Sequence, residues 1–72
     1  LNRGYGKILI KNIARLAKNR FKLRKILAGT YANNTPSIKI LKFNKFKLEG
    51  TIKKQFKFRN KYVDHLIYGK LL

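Results

Sequence analysis

Few side chains in this 72-residue sequence could take part in covalent chemistry. They are one histidine, His65, two carboxylates, Glu49 and Asp64, and one serine, Ser37. General acid–base work needs a positioned pair of titratable groups, and the two carboxylates stand well apart in the chain. Cysteine is absent, which excludes disulfides and thiolate zinc sites. One histidine and two carboxylates do not assemble a zinc ligand set or hold the magnesium of a nuclease. No glycine-rich phosphate loop is read from the sequence. The expectation is therefore no catalytic residue, no metal, no cofactor, no small-molecule substrate and no enzyme. His65 is read as a surface or phosphate-contacting residue.

What the sequence offers instead is positive charge. Nineteen Lys and Arg stand against two acidic residues, a formal net charge of +17. Such density opposes compaction by self-repulsion. Yet 44% of residues are hydrophobic and 12% aromatic, too many for a disordered tail. A polyanion that neutralises the charge would let the chain order, and nucleic acid does this with release of condensed counterions. An anionic membrane surface is the competing partner, although no apolar run is long enough to span a bilayer. A DNA-compacting role is a third reading. It lacks a recognisable helix-turn-helix.

The focus of this charge is residues 47–59, KLEGTIKKQFKFR, where cations alternate with aromatics. Aromatics between cations can stack on exposed bases while the cations contact phosphate. At least half of the Phe56 and Phe58 content is assigned to the core instead. The candidate RNA-contacting residues are Arg3, Lys7, Lys11, Arg15, Lys18, Lys22, Lys25, Lys39, Lys42, Lys45, Lys47, Lys53, Lys54, Lys57, Arg59 and Lys61.

The elements that must hold these residues are read as one small domain over 1–72. Residues 1–6 form a flexible arm with Tyr5 between two glycines. Over 7–27 the cations Lys7, Lys11, Arg15, Lys18, Lys22 and Lys25 recur at helical spacing, with Leu9, Ile13, Leu16, Leu23 and Leu27 opposite. This predicts one long amphipathic helix. Residues 28–59 are read as loop and irregular extended chain, with Asn33-Asn34-Thr35-Pro36 as a turn. Residues 60–72 are read as a short helix and its end, with Asn60 as N-cap, Asp64 near the positive end and Gly69 as the stop. The fold class expected is mostly α with irregular extended segments and little independent core. The first residue, Leu1, is read as a mark of processing or trimming.

From residue 33 onward the order of features resembles the small-subunit ribosomal protein fourteen family of bacteria and organelles. The turn Asn33-Asn34-Thr35-Pro36-Ser37, the loop glycine Gly50 with Lys53 and Lys54, and the terminal spacing Arg59–Asp64–Gly69–Leu71 carry the likeness. The family's cysteine segment, most of its Gly-Arg loop and its closing Ser-Trp tail are missing. The resemblance implies a structural constituent of the ribosome that binds rRNA in the head of the small subunit. Its partners would be small-subunit rRNA and neighbouring head proteins. With the Lys-, Asn- and Ile-rich composition it implies a mitochondrial ribosome, with a plastid ribosome second.

Overall fold

The computed structural model describes residues 5–72. In chain order it has helix α1 (Tyr5–Asn19), strand β1 (Lys25–Tyr31), helix α2 (Thr35–Phe43), strand β2 (Lys47–Phe58) and strand β3 (Lys61–Leu71). The three strands form one antiparallel sheet in the order β1-β3-β2. The fold is a small α/β arrangement, and the expectation of a mostly helical chain is overturned.

Both helices lie on one face of the sheet. The core there is Leu41 of α2, Phe46 of the following turn and Tyr68 of β3, with Ile10, Ile26, Ala28, Ile38 and Leu66 packed against it. Register explains which strand residues take part. Residues directly opposite in an antiparallel pair share a face. Ala28 is opposite Tyr68 and Thr30 is opposite Leu66, so alternate residues of both strands turn toward the helices.

The long helix expected over 7–27 stops at Asn19. Lys22 takes a left-handed φ of 57°, and the Leu23 N–H donates back to the Ala17 carbonyl at 2.9 Å. Leu23 and Leu27 fit a 3.6-residue repeat, but Ile26, Ala28 and Thr30 fit a two-residue repeat that buries them. Packing against the core selects the second pattern. On α1 the inward residues Ala14 and Ala17 are small, which lets the helix approach closely.

Residues 28–59, read as loop, are mostly regular structure: the end of β1, all of α2 and all of β2. Asn34 is the N-cap of α2, its Oδ1 accepting from the Ser37 N–H at 3.3 Å. Pro36 falls in the first helical turn, where a missing N–H costs nothing. The supposed turn at 33–37 is thus a helix start. After α2 the buried Asn44 donates from Nδ2 to the carbonyls of Lys7 at 3.2 Å and Ile40 at 3.0 Å, tying the two helices together. Lys45 then turns the chain at φ 69°.

The short helix expected over 60–71 is β3. Asn60 is no helix cap. With Arg59 it forms a two-residue hairpin loop in which both φ are positive, 49° and 64°, the geometry that fits strand twist. Asp64 serves no helix dipole either. Its Oδ1 accepts from the Lys54 N–H at 2.9 Å, where β2 bulges between Ile52 and Phe56. Gly69 is no helix stop but a crossing point, since a Cβ there would collide with the Glu49 carboxylate. Glu49 passes over it to pair with Lys25 Nζ at 2.7 Å, fastening β2 to β1 across the middle strand.

Two stability outcomes follow from these contacts. Asn44→Ala removes the two side-chain hydrogen bonds that tie α1 to α2 and is expected to cost about 1–3 kcal/mol in urea unfolding. Arg59→Asn with Asn60→Gly relieves left-handed backbone strain and is expected to add about 1 kcal/mol.

Candidate functional site

An apolar cleft lies between the start of α1, β1 and α2. It has a volume of about 250 Å³. Gly6 and Leu9 come from α1, Ala28, Gly29 and Thr30 from β1, and Ser37 and Ile40 from α2. Each element contributes for a local reason. Gly6 has no side chain where α1 meets α2, and a Cβ there would come within 2.6 Å of Ile40 Cδ1. Gly29 makes room for His65, whose Nε2 would be 2.6 Å from an added Cβ. Asn34 caps α2 and so fixes Ser37 in its first turn. Thr30 and Ser37 supply the hydroxyl side chains of an otherwise apolar lining.

The cleft sits beside the N-terminus of α1. The first four N–H groups of a helix have no intrahelical partner, and the positive end of its dipole attracts anions. The first turn of α1 carries no acidic residue and contains Lys7. In the sequence this turn continues from Arg3-Gly4-Tyr5-Gly6. Glycine-rich sequence running into a helix start is the general arrangement for holding phosphate. These residues were read as a flexible arm, and their glycines followed by an apolar-periodic helix were the signal that could have found the site. Ser37, Thr30, Gly29 and Ile40 carried no such signal, because the cleft forms only when α1, β1 and α2 meet.

His65 stands on the opposite sheet face from the core. Its ring lies 5.1 Å from that of Tyr31, and Tyr31 lies 4.8 Å from Phe56. Phe56 and Phe58 belong to this aromatic row, not to the core around Phe46, and both stay partly exposed.

The expected cationic residues scatter over the whole molecule. Arg3 lies outside the described residues. Lys7, Lys11, Arg15 and Lys18 are on α1, with Lys7 Nζ 4.4 Å from the centre of the Phe43 ring. The end of α1 breaks the long stripe, so Lys22 falls in a turn and Lys25 is committed to Glu49. Lys39 and Lys42 are on α2, and Lys45 is in the turn after it. Lys47, Lys53, Lys54 and Lys57 lie along β2, Arg59 in the hairpin loop and Lys61 at the start of β3. Near the loop, Lys57 sits 5.9 Å from the Tyr62 ring and Arg59 5.1 Å from the Phe58 ring. The structure brings together Lys11, Arg15 and Lys18, and adds Lys70, which the sequence reading did not include.

An antiparallel sheet with two helices on one face and an apolar cleft beside a helix start define a small α/β fold. Residues 1–67 match the family model of the acetyltransferase (GNAT) domain, and the chain belongs to that family. Solved structures agree. An acetyltransferase of the GNAT family from Bacillus anthracis aligns at 27% identity and a TM-score of 0.84, over 99% of this chain and 43% of that one. A ribosomal-protein-alanine N-acetyltransferase from Brucella melitensis aligns at 28% identity and a TM-score of 0.82, over 97% and 43%. The yncA protein of Salmonella typhimurium, solved with its cofactor acetyl-CoA, shares the fold at 18% identity and a TM-score of 0.87, over 97% and 40%. The chain spans less than half the length of each of these structures. No curated protein sequence matches it.

The family match overturns the ribosomal resemblance and what it implied. The role as a ribosome constituent, the rRNA and small-subunit head proteins as partners, the absence of a small-molecule substrate and the exclusion of an enzyme all give way to an acetyltransferase domain. The physical reason is visible in the fold. The spacing Arg59–Asp64–Gly69–Leu71, taken as a loop and terminal helix, lies on a hairpin turn and one strand.

Leu9 is exposed, lines the cleft and lies outside the core, so it can be enlarged without unfolding the chain. Leu9→Trp is expected to leave far-ultraviolet circular dichroism and the urea midpoint unchanged. It is expected to abolish binding of an elongated apolar probe to the cleft, read by fluorescence titration.

Proposed function

We propose that this chain forms the cofactor-holding part of an N-acetyltransferase that moves an acetyl group from acetyl-CoA to an amine. The observation that carries the reading is the apolar cleft placed directly beside the glycine-flanked start of α1. Acetyl-CoA is a long ligand with a pyrophosphate near its middle and a thin, weakly polar arm ending in a thioester. The residues present fit both parts. The free N–H groups at the start of α1, with Lys7 and no acidic neighbour in the first turn, suit the pyrophosphate. The cleft walls of Leu9, Ala28, Gly29 and Ile40 suit the arm.

β1 supports this use. It is an edge strand, paired on one side with β3 alone among the described residues. Its other side offers backbone N–H and C=O groups that can pair with the amides of an extended ligand. When bound, the cofactor would supply the acetyl group as an activated thioester. The chain's own part is to hold it in line, to keep water from the apolar cleft, and to present hydroxyl groups at Thr30 and Ser37 that can hold a proton. The acceptor amine must reach the cleft in its neutral form to act as nucleophile. A protein N-terminal amine is the acceptor class supported by the likeness to the Brucella melitensis enzyme.

Titration of the full chain with acetyl-CoA in a calorimeter tests the reading. Saturable binding is expected, weakened by about tenfold or more in Leu9→Trp. Ser37→Ala is expected to lower the rate of acetyl transfer to an alanyl peptide while leaving acetyl-CoA affinity unchanged. Failure of the unaltered chain to bind acetyl-CoA overturns the reading.

A further inference from the structure

At the end of the molecule away from the cleft, a second groove runs between α1 and the end of β3. It is lined by Lys11, Ala14, Arg15, Lys18, Lys70 and Leu71–Leu72, with a volume of about 250 Å³. The two sites are separated by topology. The cleft borders Ala28–Thr30 and the first turns of α1. The groove borders the stretch of β3 that pairs with the start of β1, Lys25 with Leu71 and Ile26 with Lys70.

Four cations meet here for identifiable reasons. Lys11, Arg15 and Lys18 stand four and three residues apart, which puts them on one side of a helix over about 10 Å. Lys70 comes from below. It is the register partner of Ile26, and Ile26 packs against the core under the helices, so Lys70 turns to the helix-covered face. It is half-buried there. Ala14, almost wholly buried, lets α1 settle close enough to β3 to form the groove floor.

No acidic side chain balances this cluster. Glu49 is held by Lys25 and Asp64 by the Lys54 N–H, both outside the groove. A half-buried ammonium beside three further cations is a costly arrangement that a bound anion relieves. Helix polarity accounts in part for Lys18, which lies in the last turn of α1. It does not account for Lys70, which is on a strand, or for Lys11, which is nearer the start of the helix.

We propose that this groove is an anion site for a short oligophosphate, gripped by Lys11, Arg15, Lys18 and Lys70. The ligand class follows from the lining. The polar side chains of the groove are all cations, and beside them stand only Ala14, Leu71 and Leu72. Among the described residues the groove has no aromatic ring to stack a base and no side-chain acceptor to read a peptide. Lys and Arg are donors throughout, which matches the acceptor-only oxygens of linked phosphates. The volume and the run of cations over about 10 Å suit two or three linked phosphates and exclude a folded partner. The site is independent of the acetyl-transfer reading.

The test uses the full chain and inorganic tripolyphosphate at fixed ionic strength, by calorimetry and thermal melting. Saturable one-to-one binding and a raised Tm are expected, because a ligand that binds only the folded state stabilises it. Arg15→Gln with Lys18→Gln, both exposed positions, should weaken binding by about tenfold or more. Lys53→Gln with Lys57→Gln removes the same charge from β2 and should leave affinity within about threefold. Equal weakening in the two double variants would mean diffuse charge and overturn the proposal, as would the absence of saturable binding. One-for-one displacement by acetyl-CoA would assign the anion to the cofactor cleft and also overturn it. Acetyl-CoA binding that fails while tripolyphosphate binding persists removes the proposed activity and leaves this site standing.

Discussion

The structure depends on the contact between the middle strand and α2. β3 is the strand that touches both of its neighbours, so its pairing holds the sheet together. Its inward residues Leu66 and Tyr68 are where that sheet meets Leu41 and Phe46. Tyr68 is 3% exposed, and no side chain in the described chain is both large and completely enclosed. A core this small leaves little margin over the entropy of ordering the chain. Polar ties therefore matter more than in a larger domain. Asn44 supplies one by joining α1 to α2, and Asp64 another by closing the bulge in β2.

Charge sets the second constraint. With two carboxylates against nineteen cations, each acidic residue has a structural position. Glu49 joins the two outer strands, and Asp64 satisfies a backbone donor that the bulge would otherwise leave open. Neither is free to serve as a general base in the cleft, which is lined by hydroxyl and apolar groups. The aromatic row of Tyr31, Phe56 and His65 lies on the sheet face without helices, where Leu27 and Ile52 are also exposed. The helices and the cleft lie on the other face, so the cleft and the exposed apolar surface are on opposite sides of one sheet.

The first helix was legible in the sequence because its apolar and cationic residues recur over four turns. Its end was not, because Leu23 and Leu27 satisfy the helical period and the strand period alike, and only the burial of Ile26, Ala28 and Thr30 decides between them. α2 was hidden behind Asn34-Thr35-Pro36, which serves equally as a turn or as a cap with proline in the first helical turn. β3 was misread because Asn60 and Gly69 have the right types for helix ends. Their left-handed turn and close crossing are tertiary facts. Of the cleft, Gly6 at the start of an apolar-periodic helix was the residue with a local signal. The remaining lining comes from separate elements and has no local signature. The abundance of cations also favoured a nucleic-acid reading, since net charge speaks to partners and solubility and not to fold.

The crossing of Glu49 over Gly69 links substitutions on three strands. A Cβ at position 69 meets the carboxylate that holds Lys25, so drift at 69 is closed while Glu49 stays extended. Shortening the residue at 49 opens 69 to side chains but strands a cation at 25 on the edge strand. Positions 25, 49 and 69 are thus coupled across the sheet: what fits at 69 depends on how Glu49 reaches Lys25.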